Sequence, residues 1–214
     1  ISSTAAAYGN IDDSRAKESD IAEPMNVYGE TKLSTEKMLK WVEQAHGIKY
    51  VSLRYFNVAG AHASGKIGEP HMPETHLIPL VLQAASGMRE NISVFGTDYT
   101  TKDGTCIRDY IHVSDLAQAH VLAAKYLMGG NKSNIFNLGT GVGYSVKEVI
   151  ETTEKVTGRT INVLEKERRA GDVAAVVASS EKARMILGWK PQQSSLKGII
   201  QSAWRWQSSH PCGY

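Results

Sequence analysis

The stretch Ile48–Phe56, which reads IKYVSLRYF, sets the fold class of this chain. Its β-branched and aromatic residues are typical of a buried strand. The residues before it predict a helix that begins near Asn26 and ends near Ala45, and His46-Gly47 supplies the C-terminal cap. A helix that leads into a buried strand is the unit from which parallel α/β structure is built.

The alternation of strands and helices continues on both sides of this segment. The sequence predicts strands at Ile1–Thr4, Ile92–Phe95, Cys106–Val113, Ile135–Leu138 and Ile161–Leu164. It predicts helices at Leu77–Ala85, from Ser114 or Asp115 to Leu127, at Ser145–Thr157 before Gly158, at Ser179–Leu187, and at Leu196–Ser208 with Trp204 buried. The polar stretch up to Glu23 and the Gly-, Pro- and His-rich stretch Asn57–Glu74 are predicted loops.

Composition places the chain among ordinary globular proteins. Its 214 residues are 42% hydrophobic and 21% charged with a net charge of +2, which suits a substantial core or two coupled subdomains. This charge gives no reason to expect nucleic acid or a membrane as partner, and no apolar run has membrane-spanning length. Cys106 and Cys212 form no CxxC pair, which favours a reduced, cytoplasmic protein. The seven histidines lack a metal-ligand spacing such as HExxH, so no metal site is expected.

Three residues near the amino terminus suggest proton transfer. Tyr28 and Lys32 form a Y-x-x-x-K pattern, which places them one turn apart on one helix face. A phenol ionises at about pH 10, and a nearby ammonium favours the phenolate that could act as a base. Thr4 ends the first predicted strand, where its hydroxyl could bind the alcohol that Tyr28 deprotonates. The same pattern also arises by chance, with the tyrosine as a packing residue and the lysine as a solvated charge.

Two arginine-containing segments could bind an anion. The run DGTCIRDYIHV (Asp103–Val113) carries Arg108, which either pairs with Asp109 or presents its guanidinium to phosphate oxygens. His112 in the same run is expected to be structural. The run RRAGD, residues 168–172, offers two guanidinium groups and a carboxylate, or else is a solvated surface turn. Together the two segments favour a clamp for a diphosphate.

Two further segments have competing interpretations. Asn57 lies where a strand ends in RYFNVAGA (Arg54–Ala61), so it either contacts a phosphate or sugar or stabilises a turn. The run GTGVG (Gly139–Gly143) follows a predicted strand and precedes a helix, as dinucleotide-binding loops do. Because Tyr144 stands where the third glycine should be, the run predicts a strand-to-helix turn capped by Ser145 rather than a cofactor loop.

Taken together, several motifs resemble the UDP-glucose 4-epimerases of the extended short-chain dehydrogenase/reductase family: Ser2-Ser3-Thr4, Tyr28/Lys32, RYFNVAGA, HLIPL, VFGTDY, DGTCIRDYIHV and NLGTG. The resemblance runs from Ile1 to the HPCGY tail. It implies the C-terminal part of a Rossmann-like doubly wound parallel sheet, at 1–57 and 107–139, and a smaller α/β nucleotide-sugar-binding domain, at 58–106 and 140–214. The family's N-terminal Gly-rich loop is not in the sequence, so the chain is expected to be a fragment, which alone could be inactive.

The resemblance also implies an isomerase that uses NAD on a UDP-sugar. Tyr28 is the expected base toward the sugar 4-hydroxyl, Thr4 its hydrogen-bonding neighbour, and Lys32 the residue that binds the nicotinamide ribose. Cofactor contacts are expected from Ser2, Ser3, Tyr28, Lys32, Tyr55 and Phe56. Substrate contacts are expected from Asn57, His76, Leu77, Ser93, Phe95, Arg108, Tyr110, Arg169, Asp172 and Val176. The resemblance places Val176 where a small residue leaves room for an N-acetyl group at the sugar C2.

Other functions of the same residue set remain open. A nucleotide-sugar 4,6-dehydratase normally follows the threonine with an Asp-Glu pair, whereas this chain has Ala5 and Ala6, which disfavours dehydration. Another NAD-dependent nucleotide-sugar epimerase and a non-catalytic nucleotide-sugar-binding relative are the remaining alternatives. Relatives are often dimers through the helix that carries Y-x-x-x-K, so a homodimer is expected.

Overall fold

A computed structural model describes residues 1–9, 15–169, 171–211 and 213 of the 214-residue chain. The predicted loop up to Glu23 lies partly outside these residues, as does Cys212. The predicted α/β fold class is confirmed. Among the described residues, no helix combines the length and apolar character that crossing a membrane requires.

The elements alternate along the chain much as the sequence predicts. The strands are β1 (Ser2–Thr4), β2 (Val51–Tyr55), β3 (Asn57–Ala59), β4 (Ile92–Phe95), β5 (Ile107–His112), β6 (Asn134–Leu138), β7 (Gly143–Ser145), β8 (Val163–Lys166) and β9 (Ala175–Val176). The helices are α1 (Val27–His46), α2 (Leu77–Ala85), α3 (Val113–Met128), α4 (Val146–Thr157), α5 (Glu181–Leu187) and α6 (Leu196–Ser209), with a 3-10 helix at Ala5–Ala7.

A three-stranded parallel sheet has the order β1-β2-β6. Because successive side chains of a strand point to opposite faces, β2 divides its residues between two layers. Val51 and Leu53 join the buried cluster that α3 and α5 cover, together with Phe136 and the fully buried Trp189. Arg54 lies on the other face, toward α1. The central strand therefore needs both apolar and polar residues, as IKYVSLRYF provides.

The remaining strands pair in two smaller assemblies. Strand β5 pairs in parallel with β3 and β9 and antiparallel with β7, while β4 pairs in parallel with β8. Helices α2, α4 and α6 cover these strands through two further clusters, which include Val81, Val149 and Ile199. Strand β5, which carries Arg108, thus lies beside β9, a strand in the segment that follows Asp172.

Helix ends follow the local signals in the sequence. The Asn26 side chain accepts a hydrogen bond from the Gly29 backbone at 2.8 Å and caps α1, which ends at Gly47 in the left-handed conformation (φ 69°). Ser145 and Glu148 form a reciprocal capping box at α4, and Gly158 ends that helix, so both predicted caps are confirmed.

Several predicted boundaries are wrong, and tertiary contacts explain them. The predicted loop Asn57–Glu74 begins with β3, because the backbone of Asn57–Ala59 pairs with β5. The predicted strands at Ile48 and Ile161 begin later, at Val51 and Val163, where a partner strand is in register. The short strands β7 and β9 were not predicted, and both pair with β5.

Two side chains also differ from expectation at helix boundaries. His112, rather than Ser114 or Asp115, caps α3: its Nδ1 accepts from the Ser114 backbone at 3.0 Å. Burial lowers the pKa of His112, which keeps the ring neutral and able to accept. This agrees with the structural role expected for that histidine. In α6 the buried tryptophan is Trp206, at 5% exposure, whereas Trp204 is only partly buried.

A buried ion pair fastens α1 to the central strand. Glu36 of α1 accepts two hydrogen bonds from Arg54 of β2, at 3.0 Å and 2.5 Å, and the Ser3 hydroxyl of β1 donates to the same carboxylate. The Arg54 guanidinium also lies 4.9 Å from the centre of the Tyr8 ring, and Tyr8 donates to Asn137 of β6 at 2.7 Å. Burial alone lowers the pKa of Arg54, but its contacts with Glu36 and Tyr8 outweigh this and raise it.

Glu36→Leu should destabilise the chain by about 3–5 kcal/mol, because it leaves the buried Arg54 charge without its partner. Glu43→Leu is the matched control on the same helix, since Glu43 pairs with Lys49 at 2.6 Å on the surface. That control should leave the unfolding midpoint nearly unchanged. Urea unfolding followed by circular dichroism measures both variants. Equal loss of stability in the two would show that the buried pair is not what holds α1 in place.

Candidate active site

A cavity of about 830 Å³ brings together most of the residues that the sequence singles out. This volume lies within the range of small-molecule sites, roughly 300–1,000 Å³. Twelve of the seventeen predicted site residues line it: Thr4, Tyr28, Tyr55, Phe56, Asn57, His76, Leu77, Ser93, Phe95, Arg108, Tyr110 and Arg169. They come from β1, β2, β3, β4, β5, the first turn of α1 and the start of α2, so the cavity is assembled from the whole length of the chain.

The first turn of α1 is pressed against the residues that follow Thr4. A Cβ atom on Gly29 would lie 2.1 Å from the Ala6 carbonyl oxygen, so only glycine permits this approach. The contact places Tyr28, the residue before it, at the same cavity as Thr4. The Tyr28 side chain is 54% exposed there, open to a ligand rather than packed in the core. The interpretation of Tyr28 as a packing residue is therefore disfavoured.

Lys32 lies next to Tyr28, as the Y-x-x-x-K spacing predicts. Its Nζ is 5.8 Å from the centre of the Tyr28 ring and donates to the Ser2 carbonyl at 3.2 Å. Lys32 is partly buried and fixed by this contact, so it is not a freely solvated charge. Thr4 uses its Oγ1 to accept from the Ala6 backbone at 3.1 Å, which fixes the side chain while leaving the hydroxyl hydrogen available to a ligand oxygen.

Five predicted site residues do not line the cavity. Lys32 stands behind Tyr28, and Ser2 offers it a carbonyl oxygen. Ser3 is fully buried and donates to Glu36, so its hydroxyl stabilises the helix–sheet contact. Val176 packs beside Phe56 in a small cluster with Tyr8, Ala16 and Ala178. Asp172 acts through the arginines that it contacts.

Asp172 joins the two arginines at one end of the cavity. Its Oδ2 accepts from Arg169 Nε at 2.8 Å, and its Oδ1 lies 3.6 Å from Arg108 NH2. Arg108 also donates to the carbonyl oxygens of Ile107 and Val173, at 2.8 Å and 3.0 Å, which fixes its orientation. The carboxylate therefore holds two positive side chains on one wall, an arrangement suited to a dianionic group such as a diphosphate.

The neighbouring Arg168 faces elsewhere. It donates to Asp98 Oδ1 at 2.7 Å and lies 4.1 Å from the centre of the Tyr99 ring. Of the two consecutive arginines in RRAGD, Arg169 alone therefore lines the main cavity, above the Phe95 ring at 5.0 Å. The sequence could not distinguish them, because adjacent loop residues diverge according to the local backbone.

Asp109 does not pair with Arg108, so that alternative is wrong. The Asp109 side chain is fully buried and accepts four hydrogen bonds, from the backbone and hydroxyl of Thr140 and from the backbones of Gly141 and Ala178. Burial raises the pKa of this carboxyl. The four hydrogen bonds favour the charged form and lower the pKa, but burial has the larger effect. The amides of the GTGVG turn thus bind Asp109, which supports the rejection of this turn as a cofactor loop.

Other cavity residues have defined local roles. Asn57 is the first residue of β3 rather than a turn residue, and its side-chain amide donates to the Asp109 carbonyl at 3.2 Å. Tyr110 is buried, and burial raises its pKa, so this phenol stays protonated and is unsuited to act as a base. His76 precedes α2 and contacts Glu74 through Nδ1 at 2.8 Å.

The cavity also contains residues that the sequence did not indicate. Ile67, Gly68, Glu69 and Pro70 line it from the predicted loop, Thr75 from just after that loop, and Cys106, Val113 and Val146 from elsewhere. A second cavity of about 560 Å³ shares Glu69 and Pro70 with it and extends to α6. The composition of the loop has no periodic pattern that predicts which of its residues face a cavity. Only the backbone conformation of residues 67–76 in the structure shows which residues line it.

Comparisons with known proteins identify the family and the relatives of the chain. The sequence profile of a family described as GDP-mannose 4,6 dehydratase matches residues 1–202. Over all 214 residues the chain is 55% identical to a UDP-glucose 4-epimerase of Halalkalibacterium halodurans, of which it spans 64%. The chain is thus shorter than two thirds of that relative.

Solved structures show the same fold. One crystal structure of a UDP-glucose 4-epimerase superposes on the whole chain with a TM-score of 0.96 at 54% identity, and the chain spans 65% of it. The Bifidobacterium longum enzyme, solved with NAD+ and UDP, gives a TM-score of 0.93 at 41% identity over the whole chain and 64% of its own length. A UDP-Glc/GlcNAc 4-epimerase from Campylobacter jejuni gives 0.80 at 42% identity, over 97% of this chain and 63% of its own.

Proposed function

The chain belongs to the family described as GDP-mannose 4,6 dehydratase, and we propose that within this family it has the function of a UDP-glucose 4-epimerase. Such an enzyme is an isomerase that interconverts UDP-glucose and UDP-galactose through a 4-keto sugar with bound NAD. The chain spans 64% of its relative from Halalkalibacterium halodurans. The epimerase activity is therefore proposed for the full-length protein.

The observation that carries the proposal is the common cavity of Thr4, Tyr28, Arg108 and Arg169. A sugar nucleotide has an anionic diphosphate beside a neutral, hydroxyl-rich ring, and the cavity offers matching groups. Two arginines held by a single carboxylate suit the diphosphate, while a threonine and an exposed tyrosine suit a sugar hydroxyl. This division of one cavity into a charged and a hydroxyl-bearing part supports a nucleotide-sugar substrate.

The proposed reaction begins with removal of the proton from the sugar 4-hydroxyl by Tyr28. Thr4 hydrogen-bonds the 4-oxygen, and the Lys32 ammonium lies beside Tyr28, 5.8 Å from the centre of its ring. NAD, when bound, would supply the acceptor for the hydride from C4 and the donor for its return. The keto sugar turns about its diphosphate link, which Arg108 and Arg169 hold, and presents its other face. Tyr28 then returns the proton, so that only the configuration at C4 has changed.

The residues present fit the reactive end of NAD. Thr4, Tyr28, Tyr55 and Phe56 line one side of the cavity, and Lys32 stands behind Tyr28 where it could bind the nicotinamide ribose. A pyrophosphate needs several unoccupied backbone amides, as at a Gly-rich helix entry. The GTGVG turn gives such amides to Asp109. This chain is therefore proposed to supply the residues around the nicotinamide.

Dehydration is the second candidate, because the family description names a dehydratase. That reaction also needs an acid and a base at sugar C5 and C6. Residues Ala5–Ala7 form the 3-10 helix directly after Thr4 and carry no ionisable side chain. The residues beside Thr4 therefore favour epimerisation, and accumulation of a 4-keto-6-deoxy sugar during the assay would favour dehydration instead.

We also propose a cytoplasmic homodimer. Helix α1 exposes Val27, Met38 and Trp41, at 81%, 58% and 69%. This apolar surface on the helix with the Y-x-x-x-K pattern is what a dimer interface would cover. The buried free thiol of Cys106 is compatible with a reducing compartment.

Tyr28→Phe should lower the interconversion of UDP-glucose and UDP-galactose by at least about 100-fold, because only the ionisable oxygen is lost. UDP affinity should change little. The assay uses the protein as its gene encodes it, with Tyr126→Phe as control, because Tyr126 lies in the core formed with α3 and away from the cavity. Activity of Tyr28→Phe within a few-fold of the parent would exclude Tyr28 as the base and favour a non-catalytic role.

Arg108→Ala and Arg169→Ala should each weaken UDP binding by about 1–3 kcal/mol, as expected for loss of charge-assisted hydrogen bonds. Arg168→Ala is the matched control, since Arg168 pairs with Asp98 and does not line the main cavity. Titration calorimetry with UDP measures all three variants. If the Arg168 variant lost as much affinity as the other two, a general charge effect would replace the diphosphate clamp.

Val176→Tyr should selectively remove activity on UDP-N-acetylglucosamine, which we expect the parent protein to epimerise slowly. Val176 packs beside Phe56, a cavity residue, so a larger side chain there would narrow the space for a C2 substituent. The relative from Campylobacter jejuni is named for both UDP-Glc and UDP-GlcNAc. The measurement compares the epimerisation rates of the parent and the variant on UDP-glucose and on UDP-N-acetylglucosamine. A parent without N-acetyl activity, or a variant that loses both activities equally, would contradict this assignment of Val176.

A further inference from the structure

The loop that precedes α2 brings together three potential metal ligands which are not adjacent in sequence. His71, Glu74 and His76 each offer one ligand atom, and these atoms all lie within 4.8 Å of one another. His71 Nδ1 lies 3.6 Å and His76 Nδ1 2.8 Å from Glu74 Oε1. The spacing H-x-x-E-x-H is not that of a helical zinc motif, so the grouping follows from the loop conformation.

The distances suit a tetrahedral ion. Zinc binds nitrogen and oxygen ligands at about 2.0–2.2 Å, so two ligand atoms of one tetrahedron lie about 3.3–3.5 Å apart. The separations of 2.8 Å and 3.6 Å from Glu74 fall on either side of that value. The two imidazole side chains are 46% and 55% exposed, so both rings have room to adjust around an ion.

The carboxylate at the centre of the group is held in place. The Glu74 side chain is only 6% exposed, and its Oε1 accepts from the backbones of Thr75 and His76, both at 2.7 Å. Such contacts around a ligand fix its orientation before a metal arrives. Glu69 adds a second carboxylate 3.7 Å from His76 Nδ1. The two negative charges offset the positive end of the α2 dipole, which otherwise disfavours a cation at this position.

We propose that His71, Glu74 and His76 form a binding site for one divalent transition-metal ion of the zinc class. Two imidazoles and one carboxylate are ligands that zinc, cobalt(II) and nickel(II) prefer, whereas magnesium and calcium prefer oxygen ligands alone. Three protein ligands leave a fourth position for water or Glu69. His76 lines the main cavity and His71 and Glu74 line the second, so the ion lies in the wall between the two.

Binding of an ion here would order the loop segment that forms the wall between the two cavities. The ion would link residue 71 to residue 76, which immediately precedes α2. It would also withdraw the His76 imidazole from any contact with a ligand in the main cavity. The metal site itself does not depend on the proposed epimerase function, because its ligands and their geometry are independent of the substrate.

The test is titration of the untagged full-length protein with zinc chloride by calorimetry, and with cobalt chloride by visible absorption. We expect one ion per chain and the absorption of tetrahedral cobalt(II), with zinc displacing cobalt. Magnesium chloride at the same concentration should displace neither ion. His71→Ala and Glu74→Gln should each weaken zinc binding at least ~10-fold. Gln retains an oxygen that can accept from the loop backbone, so this variant removes the charge rather than the fold.

His62→Ala is the matched control, because His62 is an exposed histidine in the same long connection and contacts Ser64 instead of the proposed ligands. It should bind zinc like the parent, and circular dichroism should show the same fold in all variants. Two results would overturn the proposal: no zinc bound by the parent at millimolar concentration, or undiminished binding in both His71→Ala and Glu74→Gln. The second result would assign the ion to other histidines.

Discussion

The buried pair of Glu36 and Arg54 is the constraint on which the packing of α1 against the sheet β1-β2-β6 depends. A charged helix residue and a charged strand residue are costly to bury, so each requires the other in a fixed position. Ser3 adds a hydrogen bond from β1 to the same carboxylate, so one side chain of α1 contacts two adjacent strands. This fixes both the position and the rotation of α1 on the sheet.

The rotation of α1 about its axis determines which groups the side chains of its first turn can contact. Glu36 faces the sheet four residues after Lys32, and Lys32 contacts the carbonyl oxygen of Ser2 at the strand end. The absence of a side chain at Gly29 lets the turn approach Ala6, and Tyr28 therefore lies at the cavity with Thr4. Glu36 in the core and the proposed catalytic pair of Tyr28 and Lys32 thus lie on consecutive turns of the same helix face.

Local signals in the sequence were sufficient for elements that stabilise themselves. Helix α2 and strand β4 have the predicted bounds, and Asn26 and Ser145 cap their helices because a cap acts on backbone only a few residues away. The strands β7 and β9 could not be predicted, since each consists of two or three residues that are extended only because β5 lies beside them.

For the candidate site, the sequence by itself determined the chemistry: a tyrosine and lysine one helical turn apart, a threonine at a strand end, and arginines on two segments. Tertiary structure decided which of these groups share a cavity, that Asp172 joins Arg108 to Arg169, and that Arg168 turns to Asp98. It also turned Asp109 toward the GTGVG turn rather than toward Arg108. The physical reason is that residue type and spacing fix charge, hydrogen-bonding capacity and helical face, which are local properties. Which partner a charged group meets depends on contacts between residues tens of positions apart, and these exist only after the strands have paired.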